Sequence, residues 1–179
     1  MSVAGDRSLG EFWTLPGEHA EIPLDRVAEY PLLAECLDVW RRHAGGTLPA
    51  TIDPLLFPRA AIRGLNLFER EPDSGDWRVR VVGSLVTDHV GGELRGTGLV
   101  ENFAEPDRAV VRAALDAAAS RRAPDLVRRH WFDPRGVRWS YVRLYLPLSS
   151  DGAAVDRFAT VIDPDSFGRV QQAGGRGGR

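Results

Sequence analysis

Two histidines are the side chains most able to perform ligand chemistry in this chain. His89 falls in a stretch of glycines and short apolar clusters, and His130 falls in a segment with strand-like alternation. A histidine that faces a cavity can ligate haem iron, but a surface or hydrogen-bonded histidine is the commoner case. The chain has no Cys-x-x-Cys-His attachment motif. The identity of any cofactor is therefore unknown from the sequence.

The other reactive side chains predict neither catalysis nor a metal site. Cys36 is the only cysteine, which excludes an internal disulfide and a thiolate zinc site. Ser84, Ser120 and Ser140 lack the context of a nucleophile elbow. The carboxylates between residues 93 and 107 suit helix caps and first-turn charges better than an acid–base pair. We expect no catalytic residues and no metal ligands.

The composition describes a weakly acidic chain that is long enough for one domain. It has 179 residues, 43% of them hydrophobic, and a net charge of -2, and all 23 basic residues are arginine. This charge does not favour nucleic-acid binding. The first ten residues lack the apolar core of a signal peptide, and no apolar run approaches a membrane span. A cytoplasmic protein without nucleic-acid or membrane partners is expected.

Two helices are predicted from apolar spacing. The first covers residues 31–44, where Pro31 suits the first turn and two glycines follow the last. Its apolar stripe recurs at i, i+3, i+4 and i+7 and consists of Leu33, Cys36, Leu37 and Trp40. The second helix is predicted for residues 106–121, which are rich in alanine. An amphipathic helix as short as the first must pack on the domain or on a second copy.

Strand patterns flank the second helix on both sides. The predicted strands are residues 64–69, 77–82, 126–132, 137–148 and 155–162, and the segment 83–103 between them is read as short helices and turns. This order predicts an α+β fold with a five-stranded antiparallel sheet and helices on one face. The amphipathic N-terminal helix then belongs on the opposite face or at a dimer interface.

Alternation along residues 138–146 assigns the two faces of the longest strand. We expect the aliphatic face to meet the helices, and the aromatic face to take the first helix. A ligand cavity on the helix-covered face is implied only by the family resemblance described next, and its candidate residues are His89, Phe103, His130, Ser140, Val142 and Leu144. The predicted interface residues are Leu33, Cys36, Leu37, Trp40, Trp139 and Tyr141, within one chain or a homodimer in preference to a foreign partner.

In its element order and short motifs, the chain resembles the bacterial single-domain PAS family known as PAS_5. The matching segments are 31–37 with Trp40, Gly46 to Pro49, Ile52-Asp53-Pro54, Trp77 to Ser84, Gly92 to Gly96, Arg138-Trp139 and Leu146 to Ser149. They span about residues 30–163. Thr51 stands where the family usually has a basic residue, and Ala60-Ala61-Ile62 replaces a Leu-Leu-Pro segment. The resemblance implies a sensory or regulatory role, and it supplies neither a general ligand nor catalytic residues.

The resulting expectation is a PAS module that binds a small ligand or a partner protein and signals in trans. Flavin-adduct photochemistry is not expected, because the only cysteine lies on the first helix. Residues 1–27 are read as a flexible arm, 28–165 as the domain and 166–179 as a flexible Gly/Arg tail. The alternatives are a ligand-free structural adaptor and an enzyme with the ketosteroid-isomerase-like cone fold. Strand order separates the cone fold, because a PAS sheet places its first strand between the second and the last.

Overall fold

The computed structural model describes residues 17–103, 105–133 and 135–170 of the chain. Within these residues seven strands form one antiparallel sheet. The strands are β1 (Glu18–Ile22), β2 (Leu65–Arg70), β3 (Trp77–Val81), β4 (Asp125–Phe132), β5 (Arg138–Leu148), β6 (Arg157–Ile162) and β7 (Gly168–Arg169). The α-helices are α1 (Pro31–Ala44), α2 (Ser84–Val90) and α3 (Glu105–Arg121). Short 3-10 helices occupy Leu24–Glu29, Pro54–Leu56, Arg59–Gly64, Val100–Asn102 and Pro164–Ser166.

The strand order is β1-β4-β5-β6-β2-β3, with β7 paired to the start of β5. Strand β2 therefore lies between β3 and β6, which is the order predicted for a PAS sheet. Strand order is the feature named above for separating a PAS sheet from the cone fold, and the observed order is the PAS one. The prediction of five strands is wrong, because β1 and β7 extend the sheet at positions where the sequence carries no clear alternation.

Both extra strands lie in segments that were expected to be flexible. Residues 18–22 pair with β4 along its length, from Glu18 opposite His130 to Ile22 opposite Leu126. Only Ile22 of this strand is buried, and the sequence of β1 has no strand-like alternation. The extended conformation of β1 is therefore stabilised by pairing with β4 and not predicted by its own residues. At the other end, residues 168–169 pair with β5. Residues 1–16 and 171–179 of the predicted arm and tail lie outside the described residues.

Helix α1 has the bounds that its sequence predicts. Pro31 occupies its first turn, and Gly45 ends it in the left-handed region at φ 57°, where glycine is favoured. The side chains of the predicted stripe and Ala44 are buried. They pack on the sheet through Leu126, Val142, Leu144 and Leu146.

The segment between β3 and α3 covers the other face of the sheet. It contains α2 and the 3-10 turn Val100–Asn102, as the prediction of short helices requires. Gly83 allows α2 to begin beside the sheet, because a Cβ there would lie 2.2 Å from the Arg63 carbonyl oxygen. The sheet thus separates two cores, one under α1 and one under α2, the 100–103 turn and α3.

Candidate ligand-binding cavity

A small cavity lies between the sheet and the segment that runs from α2 to the 100–103 turn. Its volume is about 40 Å³. Most of its lining is apolar, with two asparagines, a histidine, a tyrosine and an arginine among the side chains. The residues around it are Asn66, Phe68, Val79, Val82, Val86, His89, Leu94, Leu99, Asn102, Phe103, Tyr141, Arg143, Ile162 and Phe167. No carboxylate lines the cavity among the residues that the structure describes.

The two faces of β5 are reversed relative to the sequence prediction. Tyr141, Arg143 and Tyr145 lie on the cavity face, and Val142 and Leu144 lie under α1. Every residue from Tyr141 to Leu148 is buried, so alternation shows that two faces exist without showing which helix covers which. The aromatic side chains of the cavity face pack against segment 84–103 and α3, whereas the aliphatic side chains of the other face pack against α1.

Four of the six predicted pocket residues are therefore misplaced. Val142 and Leu144 belong to the α1 core. Ser140 shares their face because side chains alternate along a strand, and His130 is its direct partner on β4, so both lie away from the cavity. His89 and Phe103 do line the cavity. Their role in binding a ligand remains a prediction.

Four of the six predicted interface residues, Leu33, Cys36, Leu37 and Trp40, are buried in contacts within the chain. Leu33, Cys36 and Leu37 are completely buried within the chain, and Trp40 donates a hydrogen bond from Nε1 to the Pro147 carbonyl oxygen at 3.1 Å. Within one chain these four side chains pack on the sheet, and the homodimer remains a prediction. Trp139 and Tyr141 pack on the cavity side, not on α1.

His89 lies in a box of aromatic rings. Its ring centroid is 4.4 Å from that of Trp139, 5.1 Å from that of Phe167 and 5.7 Å from that of Trp131, each in an edge arrangement. Burial lowers the pKa of His89 and outweighs the raising effect of Asp133. The side chain is thus held as a neutral ring among other rings.

The cavity does not fit the large cofactors that PAS-like domains could carry. Ligand pockets for drug-sized molecules measure about 300–1,000 Å³, so 40 Å³ leaves no space for haem or a flavin. Cys36 lies in α1 on the far side of the sheet, where burial raises the pKa of its thiol to about 12. A flavin–thiol adduct in the cavity is therefore excluded by position.

Arg143 is the unusual member of the cavity lining. Its side chain is 7% exposed, and its Nε has no hydrogen-bond partner. Its guanidinium lies over the rings of Tyr141 at 4.9 Å, Phe68 at 5.7 Å and Tyr145 at 5.8 Å. Each such contact contributes about 0.5–2 kcal/mol, against a cost of several kcal/mol for an unpaired buried charge.

The groups around Arg143 keep it charged. Burial lowers the pKa of Arg143, but the hydroxyls of Tyr141 and Tyr145 outweigh it, and the pKa lies above the ordinary arginine value. Burial raises the pKa of Tyr145 despite the nearby guanidinium. At neutral pH the site therefore contains a cation beside a neutral phenol.

A second buried arginine on the same face is neutralised. Arg129 of β4 donates from Nη2 to Oδ2 of Asp107 at 2.6 Å, and these two side chains are 2% and 1% exposed. Oδ1 of Asp107 accepts a hydrogen bond from the Gly17 backbone N at 2.7 Å. This buried pair ties α3 to the sheet and to the residue just before β1.

His19 of β1 lies opposite Arg129 and completes the polar group on this face. Burial, followed by the charges of Arg129 and Arg143, lowers the pKa of His19 to about 4. Its imidazole is consequently neutral at physiological pH. The fixed charges here are two guanidiniums and one carboxylate.

One residue in the sequence pointed to this cluster, but the prediction from strand alternation did not use it. Arg143 interrupts an otherwise aromatic face of a strand that must be buried on both sides. A charged residue at such a position is a candidate for function. Nothing local marks Phe167 or Asn66 as cavity residues, since only the tertiary fold brings them to β5.

Two further searches cover only the described part of the chain. No group of three or more potential ligand residues able to hold a metal ion occurs in residues 17–103, 105–133 and 135–170. No helix within these ranges has the length and apolar character needed to cross a membrane. The cytoplasmic location inferred from the sequence remains a prediction.

The strand order and the cavity between sheet and short helices define a domain of the PAS class. The PAS_5 family of PAS domains matches residues 31–162, and the chain belongs to this family. The resemblance inferred from the motifs is thereby confirmed. Membership makes the chain a sensory or regulatory module in the broad sense of that family.

Known proteins add little beyond the family. No curated protein matches the chain. Among solved structures, it is similar to one described as an RNA-binding light-oxygen-voltage receptor, with 11% sequence identity and a TM-score of 0.39. The alignment covers 86% of this chain and 42% of that receptor, so the chain spans less than half of its length.

Proposed function

We propose that the chain is a sensory PAS module that takes a small molecule into the cavity and passes the binding signal to a partner protein. The observation that carries this proposal is the cavity itself, which is bounded by apolar side chains and includes the buried cation of Arg143. Apolar walls with a few placed polar groups are typical of small-molecule sites.

The C-terminal end of the described chain is the element that we expect to respond to a ligand. Phe167 lines the cavity, and its ring stacks on that of Tyr141 with centroids 6.0 Å apart. It is followed by β7, which is only two residues long. A ligand that changes the packing of Phe167 would favour one position of this segment over another, which is the condition for a signal.

An exposed apolar segment supports the partner-protein part of the proposal. Leu55, Leu56 and Ile62 are all exposed, and they lie within ten residues of one another between α1 and β2. Exposed apolar groups that cluster can mark contact surfaces. A homodimer through this segment is the alternative to a partner protein.

Ligand binding can be tested on the full chain with a panel of small metabolites. The readouts are the thermal unfolding midpoint and the native mass of freshly purified protein. Val86→Phe fills part of the cavity from α2, and Asp88→Phe places the same ring on the exposed face of that helix. We expect a compound to raise the midpoint of the natural chain and of D88F, and to lose this effect in V86F.

The small volume favours one competing function, a structural adaptor whose cavity stays empty. An adaptor would show no mass shift and no compound-dependent midpoint. V86F would then gain stability by filling space, without losing any binding. Circular dichroism of V86F checks that the variant is folded, so that a loss of binding is not a loss of structure.

A further inference from the structure

The cavity face of the sheet contains one more positive charge than its own residues neutralise. Arg129 is matched by Asp107, with Nη2 and Oδ2 2.6 Å apart. Arg143 has no carboxylate partner among the described residues, and its Nε forms no hydrogen bond. His19, which faces both arginines, adds no charge at neutral pH.

Aromatic rings do not remove this charge. The three rings near Arg143 and the Tyr145 hydroxyl solvate the guanidinium, but none of the rings is an anionic partner, and the raised pKa of Tyr145 keeps its hydroxyl protonated at physiological pH. A buried cation is ordinarily paired with an anion. The Arg143 side chain lines the cavity, so the missing anion can be supplied from that space.

The remaining lining selects among anions. Around the guanidinium are apolar side chains, among them Phe68, Leu94 and Leu99. The amide of Asn66 is already engaged, because its Nδ2 donates to the Gly64 carbonyl oxygen and its Oδ1 accepts from the Gly83 backbone N. A phosphate dianion has two negative charges, whereas Arg143 has one positive charge. A short carboxylate has one negative charge, and its alkyl chain suits the apolar lining.

We propose that the cavity binds a short-chain monocarboxylate, whose carboxylate pairs with Arg143 and whose alkyl chain lies on the apolar lining. This inference rests on the proposed function and specifies its ligand class. A volume of 40 Å³ holds about three water molecules. Acetate, with four non-hydrogen atoms, is the nearest match to this size, and propionate and butyrate require progressively more movement of the lining.

The test compares acids with their uncharged isosteres on the full chain. Calorimetry and thermal unfolding are measured with acetate, propionate and butyrate and with acetamide, propionamide and butyramide. Because charge-assisted hydrogen bonds to arginine are about twice as strong as neutral ones, we expect the acids to bind about tenfold more tightly than the amides. Arg143→Met should abolish this preference, while Arg42→Met, which removes an exposed charge from α1, should retain it.

A second measurement does not depend on a variant that folds. In the natural chain, the pKa of His19 is followed by NMR with and without saturating butyrate. Neutralising Arg143 removes part of the charge that lowers this pKa, so butyrate should raise it and butyramide should not. An unchanged His19 titration in the presence of bound butyrate contradicts the pairing.

The outcomes separate this inference from the proposed function. If amides bind as tightly as acids and V86F blocks both, the sensory cavity stands and the carboxylate assignment is overturned. Retention of the acid preference by a folded R143M variant also overturns it. If none of the acids binds, the inference fails, and the metabolite panel decides the proposed function independently.

Discussion

At the scale of single residues, three basic side chains on the cavity face differ in their charge and in their partners. Arg129 is paired with Asp107, His19 is held neutral, and Arg143 stays charged among aromatic rings. The difference follows from geometry, because only Arg129 reaches the carboxylate that α3 places above β4. The state of these side chains should affect how the free energy of unfolding changes with pH.

We predict that acid unfolding depends on His19. Its pKa is about 4 in the folded chain, whereas a histidine of the unfolded chain has the ordinary value of 6.5. The unfolded state therefore binds more protons between these values, so stability is fully present above about pH 6.5 and falls towards pH 4. The loss from this residue amounts to roughly 3 kcal/mol. The measurement is the free energy of unfolding in urea across this range.

Histidine variants isolate that effect. The groups around His19 include Arg129, Arg143, Glu21 and Arg121, and Asp107 is bound to Arg129. His19→Gln removes the proton-binding group, and the profile should become flatter between pH 6.5 and 4. His43→Gln changes an exposed histidine on α1 and serves as the matched control. Equal slopes for H19Q and the natural chain would show that other groups carry the acid response.

At the scale of elements, α1 is a packing element of one chain. Its apolar stripe is covered by β5 and β6, and the helix presents its polar side chains outward. A helix of this length depends on such packing for its stability. Leu55, in the connector that follows α1, is exposed to solvent. It can therefore serve as a control for the buried leucines of the helix.

We predict that Leu37→Ala destabilises the monomer itself. Leu37 is 0% exposed and Leu55 is 85% exposed. The buried truncation should lower the free energy of unfolding by about 2–5 kcal/mol, whereas Leu55→Ala should change it by less than about 0.5 kcal/mol. Urea titrations at two protein concentrations measure both. A concentration-dependent effect of L37A would place this stripe at an interface between copies.

At the scale of the whole molecule, one sheet is shared by two cores. The α1 core and the cavity core use opposite faces of β4, β5 and β6. Loss of either core exposes one face of the same strands. The two cores should therefore unfold together as one cooperative unit.

We predict coincident unfolding transitions for the two faces. Trp40 lies in the α1 core, while Trp77, Trp131 and Trp139 lie on the cavity side. In the double variant Trp13→Phe, Trp40→Phe, the three remaining tryptophans lie on the cavity side, so tryptophan fluorescence reports on that side, and far-ultraviolet circular dichroism reports on all elements. Their urea midpoints should agree. Two separate midpoints would mean that the cores form independent units.

The sequence by itself determined the local features of this protein. Helix α1 was predicted with its observed bounds, because Pro31, the apolar stripe and Gly45 are local signals. The five central strands and the short-helix segment were also predicted to within a few residues. The family was inferred from motifs along about residues 30–163, and the family match over residues 31–162 confirms it. Each of these conclusions uses only neighbours in the chain, where turn chemistry and periodicity act.

Only the tertiary structure decided which face of the sheet is which. Both faces of β5 are buried, so the alternation of Tyr141, Val142 and Arg143 was compatible with either arrangement. Strand β1 and Phe167 likewise gain their places through pairing and packing with β4 and β5 across long stretches of chain. The choice rests on how side-chain volumes fill the two layers, which depends on contacts between residues far apart in sequence.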